Sequence, residues 1–209
     1  MSRFLILSVI SLPLLLQGQP AYTPMKDETL FREQYIESAG QINTLKASFV
    51  QQKSISLLKA KLISTGEYHF KRDGMVRMEY TKPYAYLFIL NEDMVYIRSG
   101  EKEMHVPTGS SRLFSQISRI TLGAINGNIL TMKDFSMEVL EDDNRYLLRL
   151  DPLNRDMKML FRQFQVYISK KDLQVERIEM LESSGDTTSI NFSGQQVNIL
   201  LNDALFTVQ

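Results

Sequence analysis

The chain has 209 residues, 44% of them hydrophobic, which predicts one globular domain with a sizeable core rather than a string of small modules. Lysine plus arginine and aspartate plus glutamate both number 24, so the composition indicates neither a nucleic-acid-binding surface nor a basic tail for anionic lipid. The absence of cysteine excludes disulfides, thiol catalysis, thiolate metal sites and a thiol acceptor for lipid attachment.

Residues 1–21 predict a secretory signal. Arg3 precedes an uncharged stretch from Phe4 to Leu16, and small and polar residues follow, with candidate cleavage sites after Gly18 and Ala21. The uncharged stretch is shorter than the ~20 apolar residues that span a bilayer, so removal after export is favoured over membrane anchoring. We therefore expect residues 22–209 to form a single soluble domain beyond the cytoplasmic membrane.

An amphipathic helix is predicted at the start of that domain. Thr23 is a suitable N-cap, Pro24 suits the first helical position, and the helical pattern ends at about Gly40. The apolar residues at helical spacing are Phe31, Tyr35, Ala39 and Ile42. This spacing predicts one face that packs against the rest of the domain.

From Leu45 onward the apolar period changes to two, which predicts half-buried strands. Leu45, Ala47 and Phe49 alternate with polar residues, and so do Tyr68 and Phe70. The turn signals that divide the region are Asp73-Gly74, Asn91-Glu92-Asp93 and Ser99-Gly100-Glu101. Short strands between turns favour an antiparallel meander over βαβ units.

The hairpin around Asp73 allows two registers. A two-residue turn at Asp73-Gly74 would place the charged Arg77 on the same face as Tyr68 and Phe70. A three-residue loop that begins at Arg72 instead pairs Lys71 with Met75, so that the aromatic residues face Val76 and Met78. The hydrophobic pattern selects the three-residue loop and places Arg72 at the rim of the apolar face. Without that pattern, a solvated loop arginine is the default interpretation of Arg72.

The helical period returns between Gly109 and Gly127, where Ser110 or Ser111 is a suitable cap. Leu113, Phe114, Ile117 and Ile120 lie on one side of this predicted helix, and Arg112, Ser115 and Arg119 lie on the other. Further strands are predicted near Met132–Leu140, Arg145–Asp151, Leu160–Ser169, Leu173–Leu181 and Thr187–Phe192. Many strands and two helices predict a mainly β fold, in which one strongly curved sheet has its concave face covered by the helices.

No catalytic or metal site is expected. His69 and His105 are the only histidines, and both occupy strand-like settings that predict surface positions. Ser56 and Lys59 match the spacing of some acyl-transfer enzymes without the companion motif, so an acyl hydrolase is a weak alternative. The acidic run Glu141-Asp142-Asp143-Asn144 indicates a hairpin turn rather than a calcium loop.

The order and spacing of several residues resemble the periplasmic outer-membrane lipoprotein carrier family, the LolA type. The resemblance rests on Phe49-Val50-Gln51, Gly66, Phe70-Lys71-Arg72, Val76-Arg77-Met78, Tyr80 and Pro83, and it extends through the hairpin from Leu87 to Tyr96. The chain departs from the family pattern at Asp73, where proline is usual, and at Met78, where tryptophan is usual.

The resemblance implies an unclosed antiparallel β-barrel with an amphipathic helical lid over an apolar cavity. It further implies a monomeric periplasmic carrier that uses no cofactor and binds no nucleic acid. Such a carrier receives acylated lipoproteins from an inner-membrane ABC transporter and delivers them to the outer membrane, or to an acceptor there. Arg72 matches the rim arginine that holds the family's lid closed. The residues expected to bind the acyl chains, together with Arg72, are Phe49, Tyr68, Phe70, Val76, Met78, Tyr80, Leu113, Phe114 and Ile117. The alternative is a carrier or sensor of another lipid or glycolipid.

Overall fold

The computed structural model describes residues 22–91, 94–110 and 112–207, and of residues 109 and 112–116 it describes the backbone. The predicted signal segment, residues 1–21, therefore lies outside the described residues. None of the helices within the described ranges is long and apolar enough to cross a membrane.

The described chain forms one sheet of twelve strands in the order β1-β8-β9-β10-β11-β12-β2-β3-β4-β5-β6-β7. Every neighbouring pair is antiparallel, and the edge strands β1 and β7 do not pair with each other, so the sheet is an unclosed barrel. The predicted fold class is confirmed. The strands are β1 Thr23–Pro24, β2 Thr44–Ile55, β3 Ala60–Lys71, β4 Met75–Lys82, β5 Tyr86–Asn91, β6 Met94–Ser99, β7 Lys102–Pro107, β8 Phe135–Glu141, β9 Arg145–Pro152, β10 Phe161–Ser169, β11 Val175–Glu182 and β12 Thr187–Val197.

The hairpin between β3 and β4 has the three-residue loop that the hydrophobic pattern predicts. Lys71 pairs with Met75, Phe70 with Val76, and Tyr68 with Met78. Gly74 has a φ of 83°, which a glycine adopts without steric cost, and Asp73 has a φ of 78°. The apolar residues of both strands consequently share the inner face of the sheet.

Three α-helices accompany the sheet within the described residues: α1 Thr29–Gly40, α2 Arg112–Asn126 and α3 Arg155–Leu160. The prediction that Thr23 and Pro24 begin the first helix is wrong, because both residues form strand β1 and pair with Glu141 and Leu140 of β8. The helix begins later, where the Asp27 carboxylate accepts a hydrogen bond of 2.9 Å from the Thr29 N–H. A strand partner so distant in the chain left no local signal in the sequence.

The core lies between the inner face of the sheet and helices α1 and α2. Helix α1 buries Phe31, Tyr35 and Ala39, as its spacing predicts, and α2 buries Ile120 and Ala124. These side chains share one continuous apolar cluster with inner-face residues from β2 through β12. The helices are therefore held against the sheet by packing rather than by short connections.

The outer face of β3 to β5 is covered by the end of the chain. Arg77 donates to the Leu205 carbonyl at 3.1 Å, and Asn91 donates to the Phe206 carbonyl at 3.0 Å. His69, beside Arg77 in the sheet register, is only 5% exposed, so its predicted surface position is wrong. Burial lowers the pKa of His69, and its Nδ1 has no hydrogen-bond partner among the described residues. The sequence could not show that the distant end of the chain covers the neighbouring strand β4.

Candidate functional site

A cavity of about 270 Å³ lies between helix α2 and the inner face of the sheet. Side chains from β2, β4, β5 and β10 to β12 form its wall, and α2 forms its roof. The lining residues are Gln51, Lys53, Val76, Met78, Tyr80, Tyr86, Phe88, Ile117, Ser118, Thr121, Phe161, Met180, Glu182, Thr188 and Ile190. More than half of them carry aliphatic or aromatic side chains, so the cavity suits an apolar ligand.

The polar lining residues are concentrated where β2 and β11 end. Lys53 Nζ forms an ion pair with the Glu182 carboxylate at 3.0 Å, and Thr188 donates to the same carboxylate at 3.1 Å. The Tyr80 hydroxyl donates to the Gln51 side chain at 2.9 Å. Burial raises the pKa of Tyr80, so its hydroxyl keeps its proton at neutral pH. This end of the cavity offers partnered polar groups, whereas the deeper wall is apolar.

The two lid helices are joined to each other near their ends. The buried Tyr35 hydroxyl of α1 donates a short hydrogen bond to the carbonyl of Ala124, in the last turn of α2. Gly127 follows α2 with a φ of 80°, and a Cβ built on it would lie 3.1 Å from the Ala39 Cβ of α1. Close contact and a satisfied helix carbonyl together join α1 to α2 over the sheet.

Arg72 contacts the end of α1 rather than the cavity. Its Nη2 donates to the carbonyls of Gly40 and Ile42 at 2.6 Å each, and it lies 3.4 Å from the carbonyl of Ala39. Its Nε donates to the Asn43 side chain at 3.0 Å. A guanidinium at the carbonyl end of a helix satisfies free acceptors and complements the helix dipole. Arg72 thus links the β3–β4 loop to the end of the lid.

The structure separates the sequence-predicted binding residues into two groups. Val76, Met78, Tyr80 and Ile117 line the cavity. Phe49, Tyr68 and Phe70 are fully buried in the core beside the cavity. The Phe49 ring packs edge to face on Tyr80 with ring centroids 4.9 Å apart, and the Tyr68 ring packs on Phe192 with centroids 5.3 Å apart. In this conformation the second group supports the wall.

The other two predicted residues are Leu113 and Phe114, whose side chains lie outside the described part of α2. Of the methionines, Met78 and Met180 line the cavity, whereas Met94 and Met104 are exposed on β6 and β7.

Sequence reasoning missed the residues at the polar end of the cavity. Gln51 and Lys53 continue the alternation of Ala47 and Phe49 on the inner face, so the period of two was a usable signal for both. Glu182 and Thr188 carry no such signal, because their approach to Lys53 depends on the pairing of β12 with β2. An ion pair between residues so far apart in sequence is visible only in the folded chain.

The residues proposed for other chemistries lie outside the cavity. Ser56 and Lys59 are both exposed in the β2–β3 turn, and neither lines the cavity that would hold an acyl substrate. His105 is exposed on β7 against the Tyr96 ring. The Asp142 carboxylate accepts the N–H groups of Asn144 and Arg145 at 2.8 and 2.7 Å, which makes the acidic run a turn as predicted. Within the described ranges, three or more potential metal ligands do not cluster anywhere.

Comparison with known proteins gives a family match over most of the chain. The family model for the outer membrane lipoprotein carrier protein LolA matches residues 40–209. An outer-membrane lipoprotein carrier protein from Methylococcus capsulatus is 22% identical over 199 residues, which cover 95% of this chain and 90% of that protein. The match includes all strands from β2 onward and both sides of the cavity.

Solved structures resemble this chain at low sequence identity. An uncharacterized conserved protein from Thermus thermophilus has a TM-score of 0.50 and 12% identity, with 88% of this chain and 95% of that chain covered. A LolA-superfamily protein from Nitrosomonas europaea has a TM-score of 0.44 and 10% identity, with 85% and 97% covered. The Thermus likeness concerns the fold alone.

Proposed function

Because this chain belongs to the outer-membrane lipoprotein carrier family, we propose that it is a periplasmic carrier that encloses the acyl chains of lipoproteins between α2 and the curved sheet. The observation that carries the proposal is the apolar cavity under the helical lid. In this proposal the protein is not an enzyme. It receives its cargo from an inner-membrane ABC transporter and delivers it to the outer membrane.

The physical need for such a cavity follows from the cost of exposing an acyl chain to water. Each buried CH₂ group contributes about 0.8 kcal/mol, so a lipoprotein with long acyl chains does not cross an aqueous space unaided. A carrier must cover most of the chain's surface. The apolar side chains of Met78, Phe88, Met180 and Ile190 provide that cover in the cavity wall.

The size of the cavity indicates that loading requires movement of the lid. Its volume of about 270 Å³ is below the ~300–1,000 Å³ of typical small-ligand sites. Several acyl chains need more room than that. In this proposal the described conformation has the lid close to the sheet, and cargo binding displaces α1 and α2 from it.

In this proposal Arg72 acts as a latch that keeps the end of α1 against the sheet. Its bonds to the Gly40 and Ile42 carbonyls exist only while the end of α1 lies against the β3–β4 loop. Lid opening must break them, so the latch opposes loading and favours release. A carrier needs this balance, because it must also give up its cargo.

A fluorescent long-chain acyl probe tests the cavity as the binding site. Met180→Trp should fill the apolar wall and weaken probe binding at least about tenfold, since a large side chain then occupies the ligand's space. Met104→Trp is the matched control, because Met104 is exposed on β7 outside the cavity.

If Met180→Trp does not fold, Ile190→Phe provides a milder obstruction of the same wall. Unchanged probe affinity in a folded cavity variant would refute the assignment of the site. Hydrolysis of an acyl ester that Ser56→Ala abolishes would instead support the enzymatic alternative.

A further inference from the structure

The hairpin between β2 and β3 extends well beyond β4 and slightly beyond β12. The pairing of β12 with β2 reaches only Ser54, and the pairing of β4 with β3 reaches only Thr65. Among the described strands, residues 55–64 therefore pair only within the β2–β3 hairpin itself. We call this segment the projecting hairpin.

The projecting hairpin exposes large apolar side chains at its end. Leu57 is 92% exposed and Leu58 68%, and both lie in the turn. Leu62 and Ile63, at 48% and 54%, follow in β3. Scattered exposed leucines are ordinary on protein surfaces, but four large apolar side chains so close together on one projection form a patch.

The apolar surface covers both faces of the projecting hairpin. Successive side chains of a strand point to opposite faces, so Leu62 points toward the cavity side and Ile63 toward the outside. A protein partner with a groove would cover one face of such a projection. A lipid layer can surround it, which makes a membrane the environment that satisfies all four side chains.

Two lysines accompany these apolar residues. Lys59 lies in the turn and Lys61 in β3, and neither forms an ion pair with another described residue. The Asp186 carboxylate contacts the hairpin at its turn, where it accepts a hydrogen bond from the Ser56 N–H at 3.0 Å. The formal net charge of zero conceals this local excess of positive charge. Apolar side chains flanked by lysine are typical of segments that enter the interface of an anionic bilayer.

The projecting hairpin also lies next to the polar end of the cavity. Lys53 lines the cavity and is the register partner of Leu62. The short helix α3 contributes the exposed Met159 and Leu160. The Leu160 carbonyl accepts the Ser183 N–H at 3.0 Å, and Ser183 follows Glu182, the ion-pair partner of Lys53. The apolar patch therefore borders the cavity rather than an unrelated part of the surface.

From these observations we propose that the projecting hairpin docks the protein on an anionic phospholipid membrane, with Leu57 and Leu58 in the lipid interface and Lys59 and Lys61 at the headgroups. The docked orientation turns the polar end of the cavity toward the bilayer. This surface is separate from the acyl-binding site, and its test needs no cargo.

The chain contains no tryptophan, so Leu57→Trp introduces a single indole reporter. With protein-free vesicles of phosphatidylcholine and phosphatidylglycerol, the emission of Leu57→Trp should shift to shorter wavelength and be quenched by brominated acyl chains. Leu200→Trp is the matched control, because Leu200 is fully exposed and lies at the other end of β2. The Thr44 hydroxyl at that end donates a hydrogen bond to the carbonyl of the adjacent Ile199. The emission of Leu200→Trp should not change.

Charge is tested in the same reporter background. Lys59→Gln with Lys61→Gln should lower the partition coefficient on anionic vesicles about tenfold or more and should have little effect on pure phosphatidylcholine. Added salt should reproduce this loss. In the unlabelled protein, Leu57→Ser with Leu58→Ser should abolish flotation with vesicles while leaving the melting temperature and acyl-probe affinity unchanged.

Two results would overturn the proposal. One is an equal response of Leu57→Trp and Leu200→Trp, including no response from either, because the hairpin would then have no special affinity for lipid. The other is a shift that occurs with native membranes and not with protein-free vesicles, which would assign the hairpin to a protein receptor. Either result leaves the acyl-probe test of the cavity unaffected.

Discussion

Arg72→Leu isolates the latch at the end of α1, because leucine keeps the bulk of the side-chain stem and removes every hydrogen bond of the guanidinium. Four acceptors lose their donor: the carbonyls of Ala39, Gly40 and Ile42 and the side chain of Asn43. A hydrogen bond from a charged donor contributes about 1.5–3 kcal/mol when buried, and the half-exposed setting of Arg72 reduces the combined contribution of the four to about 2 kcal/mol. We expect the lid-opening equilibrium to rise about 30-fold.

Amide hydrogen exchange is the direct assay of this change. Peptides that cover the end of α1 should exchange about 30-fold faster in Arg72→Leu, while exchange in the β9–β10 region stays unchanged. Because cargo binds the open state, the variant should also bind an acyl probe more tightly and release it more slowly.

Arg162→Leu is the control for the loss of an exposed arginine, since its guanidinium bonds to the Ser183 carbonyl at the other end of the sheet. Unchanged exchange at the end of α1, or faster release of the probe, would refute the latch.

Two further predictions concern stability. Gly66→Ala should lower the free energy of unfolding by about 3 kcal/mol or more, because a Cβ there would clash with the Glu79 carbonyl oxygen and lie 2.8 Å from the Phe49 ring. Chemical denaturation measures this loss. Gly40→Ala is the control, since a Cβ at Gly40 would meet open space. Stability should also fall as pH drops below about 6.5, because burial lowers the pKa of His69 and the unfolded chain then binds the proton more readily than the folded one. His69→Gln should flatten that part of the stability profile, and an unchanged slope would show that another group causes it.

Local pattern was sufficient to predict most of the sheet. The alternation around Phe49 and Tyr68 placed β2 and β3, and the choice between burying Arg77 and burying Met78 fixed the register of the β3–β4 hairpin. Such predictions succeed because each strand needs one apolar face, and a slip by one residue would expose it.

The failures all depend on contacts between distant segments. Pro24 suits a helix start by itself, yet it pairs with Leu140 in the sheet. The local pattern around His69 predicts a surface residue, because nothing in it shows that the C-terminal segment covers the neighbouring strand β4. The contacts of Arg72 with the end of α1 also left no local signal, because the carbonyls that it binds lie about 30 positions earlier in the chain.

The two ends of the sheet have different features. The end that carries Arg72 holds the lid, and the end that carries the Lys53–Glu182 ion pair and the projecting hairpin borders the cavity's polar rim. The Arg72 contact and the proposed membrane contact therefore lie at opposite ends of β3, which allows the two to be independent. Variants of Arg72 should therefore leave vesicle docking unchanged, and variants of Leu57 should leave hydrogen exchange in α1 unchanged.

Native mass spectrometry of the protein purified from its own cell envelope identifies the cargo. We expect the protein to carry intact acylated lipoproteins, and Met180→Trp to carry far less of them than the Met104→Trp control. A preparation that contains only free phospholipid or glycolipid, with no acylated protein, would contradict the claim that lipoproteins are the cargo.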